Sequence, residues 1–209
     1  MDTDGNVLTA EDECIITYTR TSSSGTRHVS VDENNDVWVS GTGNRMFDLI
    51  DGDTGMIKRT EGPVGLGGYG GLIDKNNVIW SANPMLRWDT SKSLSGPPGE
   101  NYMSYSHYNT YGMALDKYGN VWVSAHGEDA VRKFSPSGIL LGTYPKGNIY
   151  AQGLVADKNG DIWVAHSLNG NTVGHLKNDG TYVGTVDVGV GPTGVAVDNN
   201  GKIWVTGFG

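Results

Sequence analysis

Short apolar runs alternate with polar turns along the chain, and one arrangement of them recurs five times. In each copy an apolar run such as GVAV ends at an aspartate. Three or four residues, mostly polar or glycine, follow it before a second apolar run that contains a tryptophan. The tryptophans are Trp38, Trp80, Trp122, Trp163 and Trp204, at intervals of 42, 42, 41 and 41 residues. A period of about 40 to 45 residues with short strands is typical of β-propeller blades.

The chemistry within each repeat predicts four strands. A turn led by aspartate, with Asn or Gly where a positive φ is favoured, joins strands A and B into a hairpin. Strand C is assigned to MFDLID, MLRWD, AVRKFS and TVGHLK, and strand D to MIKRT, ILLGTY and YVGTVDV. We therefore predict an all-β fold, a β-propeller with four-stranded antiparallel blades, because no segment shows a helical period.

The recurring tryptophan and aspartate both have structural interpretations. The tryptophans are expected to pack between blades. The aspartates are expected to accept hydrogen bonds from turn amides. They are Asp32, Asp74, Asp116, Asp157 and Asp198. Calcium binding is the alternative for the two D-x-N-x-D turns, but these lack the glutamate and the flanking helix of an EF-type loop.

The repeats account for the chain as a single domain, residues 1–209. They lie near residues 27–68, 69–110, 111–151, 152–192 and 193–209, and the last contains strands A and B only. Residues 1–26 offer two strand candidates, NVLTA (6–10) and CIITYTR (14–20). We predict that they supply the missing strands and close a five-bladed ring, which leaves no free sheet edge. The alternative is a fragment of a six- or seven-bladed propeller.

Charge and composition narrow the range of partners. The net charge of −8 and the pI of about 4.9 argue against binding to nucleic acid, which needs a basic surface. No apolar run is long enough for a membrane span. The acidic start MDTDGNVLTA shows no signal peptide, so the location stays open between the cytoplasm and a secreted or surface protein expressed without its leader.

The blade motif G-x-x-x-D-x-x-G-N-[VI]-W-[VF] resembles that of the NHL-repeat and streptogramin (virginiamycin B) lyase-like propellers. The resemblance covers residues 27–209. For an enzyme it implies a histidine that opens an inner strand, a glutamate after the tryptophan of a neighbouring blade, and an assisting magnesium ion. His28 matches the histidine. The glutamate position is held by Gly41, Asn83, Ala125, His166 and Gly207.

The loops that vary between repeats are expected to form the binding site, because a rigid scaffold usually presents its ligands on loops. In a propeller the A strands line a central channel, and we call the end of the channel where these strands begin the top mouth. The top-mouth position is five residues before each repeat aspartate. It is held by Arg27, Tyr69, Tyr111, Gln152 and Thr193. The B–C loops add Asn83, His126, Glu128 and His166. The segment 101–112, interpreted as a long loop, adds Tyr105, His107 and Tyr108. Together these side chains predict an aromatic and polar concavity.

Three functions compete. The first is a non-catalytic module that binds a glycan, a peptide, another protein or a small molecule at the top mouth, because aromatic side chains stack well on such ligands. The second is a metal-assisted lyase or hydrolase, with His28, His126, His166 and Glu128 as catalytic candidates. In that case His126 and His166 would bind a divalent metal ion, the one cofactor considered. The third is a structural or assembly platform.

Overall fold

The computed structural model describes residues 15–148, 150–168, 170–189 and 191–208, which form eighteen β-strands in five antiparallel sheets. The first sheet contains β1 (Thr26–Val31), β2 (Val37–Gly41), β3 (Phe47–Ile50) and β4 (Ile57–Glu61). The second contains β5 (Gly71–Ile73), β6 (Val78–Ser81), β7 (Met85–Asp89) and β8 (Tyr102–Tyr105). The third contains β9 (Thr110–Leu115), β10 (Val121–Ala125), β11 (Val131–Phe134) and β12 (Leu140–Tyr144). The fourth contains β13 (Ala151–Ala156), β14 (Ile162–His166), β15 (Thr172–Leu176) and β16 (Tyr182–Asp187), and the fifth β17 (Gly191–Val197) and β18 (Ile203–Phe208).

Each sheet is a meander whose strands pair in chain order. The first strands of consecutive sheets, β1, β5, β9, β13 and β17, lie side by side as the inner strands. This confirms the all-β architecture of antiparallel four-stranded sheets that the repeat predicted. Among the described residues no helix is long and apolar enough to cross a membrane.

The aspartate turns have the predicted structure in all five sheets. In each one the Oδ1 atom accepts hydrogen bonds from the backbone N–H groups two and four residues later, as in Asp157 with Asn159 and Asp161 at 2.8 and 3.0 Å. In the third, fourth and fifth sheets the indole N–H of the repeat tryptophan donates to the Oδ2 atom of the same aspartate. One carboxylate thus closes the turn and orients the tryptophan.

Three of the tryptophans pack between sheets as expected. Trp38, Trp80 and Trp122 are at most 2% exposed. Trp38 meets Trp88 of the second sheet edge-on, with ring centroids 5.0 Å apart. Trp80 lies 6.1 Å from the ring of Phe134 in the third sheet. Trp122 belongs to a buried cluster that includes residues from strands of the fourth sheet. Each of these tryptophans therefore fills the interface with the next sheet.

The last two tryptophans depart from this prediction. Trp163 is only partly buried, and its ring stacks on His175 of its own sheet at 4.1 Å. A cavity of about 270 Å³ separates it from Ile203 and Val205 of the fifth sheet. Trp204 is 61% exposed. The reason is that the fifth sheet has only two strands, and no described segment covers the face that carries Trp204. Closure of a five-bladed ring stays a prediction.

The expected strand over residues 14–20 is absent from its described part, residues 15–20. Instead this segment follows the first sheet: the Thr19 hydroxyl donates to the Gly55 carbonyl at 2.5 Å. The Ser22 amide and hydroxyl both donate to the Asp48 carboxylate at 2.7 Å. These side-chain bonds replace the ladder that a strand would need. The other candidate strand, residues 6–10, lies outside the described residues.

The segment 101–112, interpreted from the sequence as one long loop, contains a strand. Residues 102–105 are β8, which pairs with β7 and completes the second sheet. The long connection instead precedes it, between β7 and β8, and Leu94 anchors that connection at 2% exposure. The partly buried side chains of residues 102–105 favour a strand there, although polar and apolar residues alternate only weakly in this segment.

Candidate functional site

Backbone irregularities at the top of the inner strands build the top mouth. In the first sheet Thr26 pairs with Gly41 and His28 with Ser40, so Arg27 is an extra, unpaired residue. The same kind of shift surrounds Tyr111, Gln152 and Thr193 in the third, fourth and fifth sheets. Each is a β-bulge, which re-aims a side chain and often borders a binding site. In the second sheet Tyr69 precedes β5.

Glycines beside the bulges let the inner strands approach each other. A Cβ at Gly112 would lie 2.4 Å from the Gln152 carbonyl oxygen, and one at Gly153 would lie 2.8 Å from that of Thr193. The Ser124 hydroxyl links the same two inner strands, since it accepts a hydrogen bond from the Gly112 amide and donates one to the Gln152 carbonyl. The motif glycine is therefore required by packing at the mouth.

Five side chains meet across the first four sheets in what we call the aromatic row: Arg27, Tyr69, Tyr111, His126 and Tyr150. The Arg27 guanidinium lies 5.0 Å from the centre of the Tyr69 ring and donates to its hydroxyl at 3.3 Å. The Tyr69 and Tyr111 rings are 4.6 Å apart, and their hydroxyls share a hydrogen bond. The His126 ring lies 5.7 Å from Tyr111 and 5.6 Å from Tyr150. The row is a continuous polar and aromatic surface.

Tyr111, in the middle of this row, has a raised pKa. Burial raises the pKa of its hydroxyl to about 12, and the hydrogen bond and charge of Tyr69 add to the effect, while Arg27 opposes it. The phenol therefore keeps its proton, and its capacity to donate a hydrogen bond, throughout the neutral and mildly alkaline range.

Replacing Tyr69 by phenylalanine is expected to lower the pKa of Tyr111 from about 12 towards its ordinary value. The substitution removes both the hydrogen bond and the charge of Tyr69, and leaves burial as the remaining cause. The measurement is a pH titration of ¹³Cζ-labelled tyrosine by NMR. The control is Tyr150→Phe, at the far end of the row, which should leave the Tyr111 titration in place. An unchanged Tyr111 titration in Tyr69→Phe contradicts the coupling.

Sequence reasoning missed Tyr150. It precedes β13, and its backbone forms a bridge with His126. The equivalent positions of the other repeats, seven residues before the aspartate, hold Gly25, Gly67, Asn109 and Gly191. The repeat alignment therefore offered no signal for it. Only its proximity to Gln152 along the chain pointed to the mouth.

His28, the first catalytic candidate, is a packing residue in this structure. It is fully buried, and its ring nitrogens Nδ1 and Nε2 lie 3.0 Å from the hydroxyls of Ser81 and Ser30. Burial lowers its pKa to about 4, so it is neutral at physiological pH. Both nitrogens are occupied and shielded, which leaves none to act on a ligand.

The proposed metal pair His126 and His166 has two different environments. His126 takes part in the aromatic row, whereas His166 is fully buried, with Nδ1 2.9 Å from the Thr172 hydroxyl. Burial, together with the nearby charge of Lys146, lowers the pKa of His166 to about 4. Glu128 is paired with the guanidinium of Arg132. Nowhere in the described ranges do three His, Cys, Asp or Glu side chains converge to hold a metal ion.

The remaining candidates lie apart from the row. Tyr105 packs against Phe134 at 5.2 Å and donates its hydroxyl to the Gly138 carbonyl at 2.6 Å, so it joins the second and third sheets. Tyr108 lies beneath the Arg132 guanidinium at 4.3 Å. His107 is exposed beside Tyr108.

Asn83 is exposed in a turn with φ of 57°, and its carbonyl accepts a hydrogen bond from Arg45. Gln152 and Thr193 hold the mouth positions of the fourth and fifth sheets.

Comparison with solved structures identifies proteins of the same fold. A streptogramin B lyase matches with a TM-score of 0.71 and 19% identity, over 90% of this chain and 63% of the lyase. A catalytically inactive virginiamycin B lyase from Staphylococcus aureus with quinupristin gives 0.72 and 17%, over 90% and 64%. A gluconolactonase from Xanthomonas campestris gives 0.64 and 16%, over 87% and 69%.

At the level of sequence, no family model and no curated protein matches the chain. The chain spans less than two thirds of the length of the two lyases. The resemblance read from the blade motif is confirmed as a likeness of fold: the chain is built as the streptogramin lyase-like propellers are.

Proposed function

We propose that the protein binds a small cyclic polar ligand, such as a sugar, across the top mouth. The observation that carries this proposal is the aromatic row, in which side chains from four consecutive sheets are in mutual contact. Arg27 and Tyr111 lie in inner strands, and the other three side chains lie within two residues of a strand end. Such placement by the sheets lowers the entropic cost of binding.

The chemistry of the row suits such a ligand. Tyrosine presents an apolar ring face with a hydroxyl at its edge, and so can stack on a sugar ring and hydrogen-bond to its hydroxyl groups. Arg27 is exposed at one end of the row and adds a fixed positive charge with planar donors. In a chain of net charge −8, this arginine favours a ligand with an acceptor or an anionic group at that end.

A metal-assisted lyase or hydrolase is the second candidate, because the solved structures with this fold include a lyase and a lactonase. Within this chain His126 is the candidate that supports it, since His126 is partly exposed in the row while His28 and His166 are buried. Its direct test is turnover of quinupristin and gluconolactone, with and without added magnesium, followed by liquid chromatography and mass spectrometry. Turnover that is lost in His126→Ala would place this candidate ahead of simple binding.

Alanine at Tyr69 or Tyr111 is expected to weaken sugar binding about tenfold or more, because each substitution removes a central aromatic contact. The measurement is titration calorimetry with the tightest sugar from a panel of mono- and disaccharides. Tyr182→Ala is the matched control, since Tyr182 is an exposed tyrosine on the outer strand β16 and should change affinity by less than about twofold. Equal affinities for the row variants and the parent chain, or no binding by any sugar, would contradict the proposal.

A further inference from the structure

A second cavity lies at the opposite end of the sheets from the top mouth. The aspartate turns of the second and third sheets enclose about 300 Å³ there, with Asp74, Lys75, Lys117 and Tyr118 among the lining residues. That volume suits a molecule the size of an amino acid. The aromatic row, built at the other end of the inner strands, contributes nothing to it.

Among the described residues, Asp74 is the repeat aspartate whose carboxylate is buried with one oxygen unpaired. Its Oδ1 atom caps the turn, but its Oδ2 atom has no hydrogen-bond partner among the described residues, although Asp74 is only 7% exposed. The Trp80 indole N–H is the counterpart of the group that donates to Asp116 Oδ2, and it too has no partner in the part of the chain that the structure describes. A buried carboxylate oxygen without a donor is costly, and a ligand that brings a donor removes that cost.

The Oδ2 atom of Asp116, which lines the same cavity, is saturated. It accepts from the Asn178 side chain at 2.9 Å and from the Trp122 indole at 3.1 Å, and the Lys133 ammonium lies 3.6 Å away. Of the two repeat aspartates that line the cavity, only Asp74 therefore has a carboxylate oxygen without a donor among the described residues, and that oxygen is buried.

The rim of the cavity carries the opposite charge. Lys75 and Lys117 are exposed, and each directly follows a repeat aspartate. Tyr118 is 64% exposed, and the Lys117 ammonium lies 5.2 Å from the centre of its ring. Two ammonium groups beside a single free carboxylate oxygen disfavour a bare metal ion and favour a ligand that itself carries an anionic group.

We propose that this cavity binds a small zwitterion, with the chemistry of an α-amino acid. The protonated amine lies at the cavity wall, attracted by the charge of the Asp74 carboxylate, the carboxylate of the ligand lies between Lys75 and Lys117, and its side chain contacts the Tyr118 ring. This proposal is independent of ligand binding at the top mouth, because the two sites share no residue.

The test compares L-phenylalanine with its two halves, 3-phenylpropionate, which lacks the amine, and phenethylamine, which lacks the carboxylate. Titration calorimetry on the full chain should show phenylalanine binding about tenfold or more tighter than either half, because only phenylalanine satisfies both charges. Phenylalanine affinity equal to that of either half, or no binding of phenylalanine, overturns the proposal.

Two variants with matched controls locate the site. Asp74→Asn keeps a side-chain oxygen to cap the turn but replaces the free acceptor, and should weaken phenylalanine binding about tenfold or more. Asp157→Asn makes the same change in the fourth sheet and should alter binding by less than about twofold. Lys75→Met with Lys117→Met should also weaken binding, whereas Lys158→Met, at the equivalent turn position, should not. The lysine variants leave the caps intact, so they decide the question if Asp74→Asn fails to fold. Parent-like affinity in the lysine double variant overturns the proposal.

Discussion

Replacing Trp122 by alanine is expected to lower the free energy of unfolding by about 3 to 5 kcal/mol, the range for truncating a buried aromatic side chain. Trp122 is 0% exposed. It fills the joint between the third and fourth sheets, where the cluster around it includes Leu154 and Ile162. Its indole N–H also donates to Asp116 at 3.1 Å, so alanine removes both packing and a hydrogen bond. Urea unfolding followed by far-ultraviolet circular dichroism measures the loss.

Trp204→Ala is the matched control for this prediction. Trp204 has the same position in its repeat and the same bond to an aspartate, Asp198, but is 61% exposed. Its replacement should cost a small fraction of the loss at Trp122, since little apolar surface leaves water at this position. Equal losses would show that the face carrying Trp204 is covered in solution. A near-zero loss at Trp122 would contradict the packing described between these sheets.

Replacing Asp116 by alanine is the second large effect, with an expected loss of about 3 to 5 kcal/mol, as for breaking a buried ion pair. Its carboxylate caps the turn, and its Oδ2 atom serves Trp122, Asn178 and Lys133 together. Alanine would leave the Trp122 indole N–H buried without an acceptor, and would remove one of the partners of Asn178 and of Lys133. Asp198→Ala is the control, because Asp198 makes the same turn but lacks the contacts to a neighbouring sheet, and should lose far less. A similar loss at both positions, measured by urea unfolding, would contradict the central role of Asp116.

The same carboxylate makes stability depend on pH. Burial alone would raise the pKa of Asp116, but hydrogen bonds from Asn178, Asn120 and Trp122 outweigh it and lower the pKa to about 2. Since the folded pKa lies below the unfolded value, this contribution is present above about pH 4 and is lost as the pH falls towards 2. The contribution is about 2 kcal/mol, since one pKa unit corresponds to about 1.4 kcal/mol. Asp116→Asn should lose this part of the acid dependence, and an identical acid profile in that variant would contradict the assignment.

Much of the fold was predictable because the repeat constrains it strongly. A strand pair joined by an aspartate turn needs only local chemistry, and all five turns formed as expected. Strands C and D were recognisable in the first, third and fourth repeats for the same reason. The second repeat failed at β8, because its long connection interrupts the spacing and Tyr102–Tyr105 lacks clear alternation.

The candidate site was predictable in part. Arg27, Tyr69 and Tyr111 were found from their position before the aspartate, and the structure brings them into contact. His28 and His166 were candidates together with His126, but the structure buries both of them. A sequence does not reveal that serine and threonine hydroxyls and packed strands enclose these side chains. Tyr150 was missed because its position carries no periodic signal.

The period, the turn chemistry and the residue at each mouth position could all be derived from the amino-acid sequence, since these depend on neighbours within about ten residues along the chain. Burial and contact between repeats depended instead on how the sheets pack in three dimensions. The packing has three local consequences at these motifs. It placed the bulges that aim Arg27 and Tyr111, left Trp204 exposed, and left Asp74 Oδ2 unpaired while it saturated the equivalent oxygen of Asp116. Identical motifs acquire different roles because the sheet packed against each one supplies, or fails to supply, the partners that the motif requires.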